Sequence, residues 1–390
     1  MVQARSTGKC WVIVGPRPDN NCKSTQGLYL PPLTTQIPDM LIPFETARRL
    51  VKSIASILIS TALYTQAAHA QDTTRVNFSE REAAVSMAQR LQEKEGIAIA
   101  DTLALLKQAE LLPRVVQAVK PPKTKGVRNW DTYRSRFVEP IRIRKGMAFW
   151  NENLETLKQA EAKYNIPQEV IVAIIGVETI YGEHIGNYRV LDSLATLAFA
   201  YPEGQKDRSG FFLSELESFI ALCNKTHLDA LEVKGSYAGA IGLGQFMPSS
   251  WTAYAVDGDA DGIVDLFHSR KDAIFSVANF LKVHGWESGK ATRVLVDIEH
   301  ADNLTELLAP DIVPTFTAAA MQQKGLKLNG ETLPDEKLAL IELVRGEGES
   351  AYVVGGQNFF VVTRYNRSSF YANAVLELSE ALKLRRDMLN

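Results

Sequence analysis

The segment from Val170 to Ile180 reads V-I-V-A-I-I-G-V-E-T-I, apolar almost all round and broken by a single carboxylate, Glu178. A helix with apolar residues on every side has no face to give to water and is normally buried. Pro167 suits its first turn and Gly182 its end, so the pattern predicts one helix of about four turns from Pro167 to Tyr181. A chain of 390 residues is long enough to enclose such a helix in two or three domains.

Glu178 follows Ile175 and Ile174 by three and four residues, so its carboxyl emerges beside their side chains. Desolvation there penalises the ionised form and raises the pKa, which suits a general acid. A structural carboxylate paired with a basic residue is the other reading of this helix alone. Hydrolysis of a glycosidic bond usually needs a second carboxylate across the bond. Glu183, Asp192, Glu203, Glu215 and Glu217 lie nearby in sequence, but no local pattern marks one of them as the partner. One carboxyl could suffice if it protonates the leaving oxygen and a hydroxyl of the substrate replaces water.

A second stretch, Gly235 to Asp272, joins a Gly-rich turn ending in Gln245-Phe246-Met247-Pro248 to an acidic loop, Asp257-x-Asp259-x-Asp261-Gly262. Alternating aspartates supply the oxygens that calcium requires, Gly262 allows the turn, and Ile263 offers its carbonyl. The twelfth position, ordinarily a bidentate Glu, is His268, so the standard pattern is broken. Six His in the chain, none in metal-ligand spacing, argue against zinc.

The formal charge of -2 gives no basic footprint for nucleic acid, and 46% hydrophobic with 23% charged residues is globular composition. Arg48, Arg49 and Lys52, the apolar run Ile54 to Leu63 and Ala68-His69-Ala70 read as a cleavable export signal over 40-70. Residues 1-39 precede it as a Pro-rich extension that carries Cys10 and Cys22, and Met40 is the expected start. Cys223, in an apolar run, reads as a buried and inert thiol. Ser79-x-x-Glu82 suggests a capping box, and Pro121-Pro122 marks a loop. The alternation from Arg293 to His300 suggests a strand, and Leu338 to Val344, Ala351 to Val354 and Phe359 to Thr363 are further apolar or β-branched runs. Ser369 to Leu384 returns to helix.

Five segments, in order over roughly residues 130 to 376, resemble the lytic murein transglycosylases of the membrane-bound B type, within the lysozyme-like superfamily. They are I-I-G-V-E-T-I-Y-G, L-D-S-L-A-T-L-A-F-A-Y-P, G-S-Y-A-G-A-I-G-L-G-Q-F-M-P-S-S-W, D-A-I-F-S-V-A-N-F-L and F-F-V-V-T-R-Y-N-R-S-S-F-Y-A-N-A-V. With the patterns above, an α+β, mainly α fold is expected: a helical part over 71-149, a core over 150-289 that the resemblance makes lysozyme-like, a small β-rich insertion over 290-357 and a return to the core over 358-390. By the resemblance, the activity is non-hydrolytic cleavage of the MurNAc-GlcNAc bond of peptidoglycan glycan strands, leaving 1,6-anhydroMurNAc ends, with Glu178 as acid and then base. Ser236 matches the family's serine that holds the carboxylate or the substrate acetamide. Gln245, Phe246 and Met247 match the cleft-lining run, and Tyr133, Tyr365 and Tyr371 match its cleft tyrosines, suited to stack on sugar rings and orient them. For a structural Ca2+ the family's longer loop implies Asp257, Asp259, Asp261 and Ile263 closed by Asp272, with Asp265 acting through water. Three positions depart from the family pattern: Phe280 stands for a tyrosine, Glu203 for a basic residue after Tyr201-Pro202, and no Cys marks a lipid anchor at the cleavage site. A periplasmic enzyme without a lipid anchor is therefore expected, with a hydrolytic muramidase and a non-catalytic peptidoglycan-binding protein as the rivals.

Overall fold

The computed structural model describes residues 76-120, 128-204 and 206-389. The expectations for 1-39, for the signal at 40-70, for Cys10 and Cys22 and for the Pro121-Pro122 loop lie outside the described residues.

The apolar segment forms the helix Gln168–Thr179, in which every residue from Val170 to Val177 is buried. It is shorter at both ends than the expected 167-181. Pro167 stands just outside as the extended N-cap, and Ile180, Tyr181 and Gly182 leave the helix in the left-handed region with φ of 51°, 60° and 98°. Four helices enclose it: Pro140–Glu152, Leu154–Tyr164, Arg270–Val283 and the C-terminal Ser369–Asp387. A second group forms around Val190–Phe199 and Ser209–Thr226, against which the N-terminal helices and Pro248–Tyr254 pack. All these faces share one hydrophobic core.

The strands form a smaller layer. Arg293–Val296, Gly348–Gly355 and Ala339–Arg345 make an antiparallel three-stranded sheet with Gly348–Gly355 in the middle. Strand alternation divides its side chains between two cores. Ala339, Ile341, Leu343 and Val353 enter the main core, while Leu338, Leu340, Val354 and Val296 join Leu307, Met321 and Leu326 in a separate one. Leu307 and Met321 come from two short helices, Leu304–Leu308 and Ala318–Gln323, so the segment after 290 is not purely strand.

Three local expectations are corrected. The run from Arg293 to His300 is two strands in different sheets: Val296 pairs with Tyr352, whereas Ile298 pairs with Leu328. Asp297 makes the break, with its carboxylate accepting from Asn329 Nδ2 at 2.8 Å and its carbonyl from Asn329 N at 3.1 Å. Phe359 to Thr363 lies in the helix Gln357–Tyr365, because a short apolar run fits either periodicity and here burial of Phe359, Val361 and Val362 in the helical core decides. The Ser79-x-x-Glu82 box does not form: Ser79 sits inside a short 3-10 turn capped by Asn77, and the helix Glu82–Glu95 begins without a side-chain cap.

Candidate active site

Glu178 is the next-to-last residue of its helix, where the chain must turn sharply to leave the core. Thr179 anchors that turn. Its hydroxyl donates to the Leu243 carbonyl at 2.9 Å and accepts the Gly182 N–H at 3.0 Å, tying the helix end to the Gly-rich segment. That segment is a tight loop closed by an Ile241↔Phe246 bridge. Gly242 has φ of 74° and a Cβ there would lie 2.6 Å from the Leu266 carbonyl oxygen, so only glycine fits. Gly244 gives its carbonyl to the Tyr365 hydroxyl at 2.6 Å.

Tyr371 completes the contact from the opposite side. It is the third residue of the C-terminal helix, whose start is fixed by the Ser368 hydroxyl accepting the Tyr371 N–H at 3.3 Å. Its hydroxyl donates to Glu178 Oε1 at 2.6 Å. Burial raises the Glu178 pKa to about 7, and the Tyr371 bond, which favours the carboxylate, works against that rise. Among the described residues burial and the Tyr371 bond are the two causes of the shift. Burial and the nearby Glu178 hold the Tyr365 and Tyr371 phenols well above their usual range, so both remain donors. Tyr133 is also raised, by burial and then by Glu178, against the lowering pull of Arg136 and Arg128. Of the three tyrosines singled out in the sequence, Tyr371 bonds to Glu178, while Tyr365 and Tyr133 lie near enough for its charge to act on their phenols.

Their presentation differs from the expectation of open stacking platforms. Tyr371 is 2% exposed, and its ring lies near-parallel to that of Tyr365 with centroids 6.5 Å apart, so it offers its hydroxyl and not its face. Tyr133 is partly exposed and packs on Trp130, Phe137 and Phe370. Phe246 is buried against Phe280 and Tyr365, where it supports the loop from beneath. Phe280 itself stacks on His284, its centroid 4.0 Å away. Gln245 and Met247 are partly exposed, and Gln245 Nε2 donates to the Ile185 and Gly242 carbonyls, both at 3.0 Å. Ser236 is also partly exposed, but its hydroxyl accepts the Ala240 N–H at 3.0 Å within its own turn and does not bond to Glu178. Thr179 is the positioning residue that sequence reasoning missed. Its place beside Glu178 was visible, but the bond to Leu243 spans 64 positions.

Most of the neighbouring carboxylates are engaged elsewhere. Asp192 binds Arg189 and the Glu110 N–H, Glu215 accepts from the Ser249 N–H and hydroxyl, Glu217 pairs with Arg90, and Glu183 pairs with Lys145. Glu203 is exposed.

In the acidic loop, oxygens of Asp257, Asp259 and Asp272 come within 4.8 Å of one another. Asp272 is 1% exposed and accepts the Gly258 N–H at 2.8 Å and the Asp265 N–H at 2.7 Å, so it holds the two ends of the loop together. Asp261 lies outside this group, its carboxylate accepting the Ile263 N–H at 2.8 Å, and the Ile263 side chain is exposed. Asp265 accepts the Phe267 and His268 N–H groups. Among the described residues none of the three clustered carboxylates has a basic partner. Converging oxygens without a counter-charge are a donor set that suits a hard divalent cation.

Residues 79–380 match the family described as Transglycosylase SLT domain. The chain is 37% identical over 306 residues to membrane-bound lytic murein transglycosylase B of Escherichia coli, covering 76% of this chain and 81% of that protein. Among solved structures, the Escherichia coli lytic transglycosylase Slt35 in complex with calcium matches with a TM-score of 0.68 and 35% identity, covering 82% of this chain and 98% of that one. Pseudomonas aeruginosa SltB3 in complex with NAG-anhNAM-pentapeptide matches with a TM-score of 0.65 and 29% identity, covering 77% of this chain and 78% of that one. The mainly helical architecture with its small antiparallel sheets is therefore that of Slt35. The chain belongs to the SLT-domain family of lytic transglycosylases.

Proposed function

We propose that this protein cleaves the MurNAc-GlcNAc bond of peptidoglycan without water, forming 1,6-anhydroMurNAc ends, and that Glu178 is the acid and then the base. The observation that carries the reading is a carboxyl at the end of a buried helix, hydrogen-bonded to Tyr371 at 2.6 Å and, among the described residues, bonded to no second carboxylate, with burial raising its pKa to about 7. A group poised near neutrality can both give and take a proton.

In the first step protonated Glu178 donates to the glycosidic oxygen as the bond to the muramoyl C1 breaks, and the N-acetyl group stabilises the cationic centre. Glu178 is left as a carboxylate. The Tyr371 bond strengthens as that charge develops, so Tyr371 stabilises the step that follows proton transfer. In the second step the carboxylate removes the proton of the muramoyl 6-hydroxyl, whose oxygen closes onto C1 and regenerates the acid. A hydrolytic route would need a second carboxylate to activate water.

Tyr133, Ser236, Gln245 and Met247, all partly exposed, are the residues we expect to touch the glycan, with Phe246, Tyr365 and Tyr371 holding the wall behind them. Asp257, Asp259 and Asp272 are the proposed core of a structural Ca2+ site, with Asp261, Asp265 and the Ile263 carbonyl available to complete the shell. Such an ion would fix the loop to the helix Arg270–Val283 and takes no part in the chemistry. We place the protein in the periplasm on the strength of the 40-70 signal; among the described residues no helix is long and apolar enough to cross a membrane.

The test is mass spectrometry of muropeptides released from purified sacculi by the native protein and by Glu178→Gln. Anhydro products from the native protein alone support the reading. Products heavier by one water point to a muramidase, and no release by either protein points to a binding role.

A further inference from the structure

Beside Tyr133 lies a cavity of about 360 Å³ lined by Arg128, Asn129, Thr132, Arg136 and Phe370 as well as Tyr133 itself. It lies near the reactive centre through Tyr133, which lines it, meets the Phe370 ring at 5.5 Å and is close enough to Glu178 for that carboxyl to raise its phenol. The neighbouring acids are already taken: Asp131 pairs with Arg345, and Glu377 pairs with Arg134. Among the described residues neither Arg128 nor Arg136 has an acidic partner, so the rim of the cavity carries two exposed, unpaired guanidinium groups. Arg128 lies over the Phe370 ring at 4.6 Å, which restrains it and lowers the entropy lost when it binds. A guanidinium fork matches a carboxylate in two parallel hydrogen bonds. Burial and Glu178 raise the Tyr133 phenol, and both arginines act against that rise, so their charge is felt at the ring that lines the cavity.

We propose that this cavity binds carboxylates of the peptide borne by the muramoyl sugar, so that Arg128 and Arg136 select glycan carrying an acidic peptide next to the bond to be cut. The proposal rests on the glycan-cleaving reading above.

The test is calorimetric titration of the Glu178→Gln protein with the GlcNAc-MurNAc pentapeptide and with the same ligand after its carboxylates are converted to carboxamides. Amidation should raise Kd about tenfold, the factor that two screened charge-assisted contacts supply. Adding Arg128→Gln and Arg136→Gln should raise Kd for the acidic ligand by a similar factor and leave the amidated ligand unaffected. Equal affinity for the two ligands, or equal weakening of both in the arginine variant, overturns the proposal while leaving the proposed reaction intact. If neither ligand binds and the native protein releases no product from sacculi, the reaction itself is wrong and the site falls with it.

Discussion

Replacing Glu178 by Gln should make the folded protein more stable above neutral pH and no different in acid. In the native fold burial raises this carboxyl from 4.5 to about 7, so ionising it costs more in the folded than in the unfolded chain. For a raised pKa the associated stability is present below the unfolded value, declines as pH rises through the folded value and is flat above it. At 1.36 kcal/mol per pH unit, and with Glu178 partly exposed so that water offsets some of the cost, the penalty at alkaline pH is at most about 3 kcal/mol. Gln is nearly isosteric, still accepts the Tyr371 hydroxyl and carries no such penalty. With about 2 °C per kcal/mol for a chain of this size, the variant should melt above the native protein by up to about 6 °C at alkaline pH. At a pH below that of a free carboxyl the two should melt together. Scanning calorimetry of both proteins across this range measures the difference directly, since all other titrating groups are common to the pair. A difference that does not change with pH, or a native protein more stable in alkali, would refute the claim that Glu178 is held desolvated and unpaired.

Removing the Tyr371 hydroxyl should act on the same carboxyl from the other side. Tyr371→Phe loses the 2.6 Å bond that favours the carboxylate, so the alkaline limb of kcat/KM should move up by about one pH unit while the maximal rate falls at least tenfold; a pH-rate profile with an unmoved limb contradicts this. Calcium added to metal-free protein should raise Tm by the equivalent of about 2.7 kcal/mol at a hundredfold excess over Kd, and Asp272→Asn should abolish the rise. An unchanged Tm on calcium addition removes the ion from the account. Among the described residues the buried Tyr181 hydroxyl has no partner, and a Cβ at Gly146 or Gly176 would overlap it. Tyr181→Phe should therefore stabilise the fold by about 1 kcal/mol, and Gly176→Ala should destabilise it by about 2 kcal/mol, as read from urea midpoints.

The central helix was legible because burial on every face leaves a continuous apolar run that few other structures produce. Its end was not. Ile180 and Tyr181 adopt a left-handed backbone that costs a non-glycine residue energy, and what supports it, the Thr179 to Leu243 bond, is long-range. The resemblance marked Tyr133, Tyr365 and Tyr371 as cleft residues but gave no arrangement about Glu178, and nothing in local spacing joins Tyr371 to a residue 193 positions away. Local pattern also could not show that Tyr371 would be buried behind its hydroxyl, or that Phe246 would face inward. In the acidic loop the alternating aspartates were conspicuous, yet the buried member of the cluster is Asp272, whose role depends on two backbone bonds closing the loop. The segment Phe359 to Thr363 shows the same limit in reverse. Its β-branched residues suit a strand, and only the core against which Val361 and Val362 pack selects the helix.

The claim that one carboxyl cleaves the glycan without water is tested most directly by running the reaction on purified sacculi in water enriched in heavy oxygen and weighing the muropeptides. The account predicts that new muramoyl ends carry no heavy oxygen, because the oxygen that closes onto C1 is the sugar's own. Incorporation of one heavy oxygen at each new end would contradict it and would require a second group to activate water.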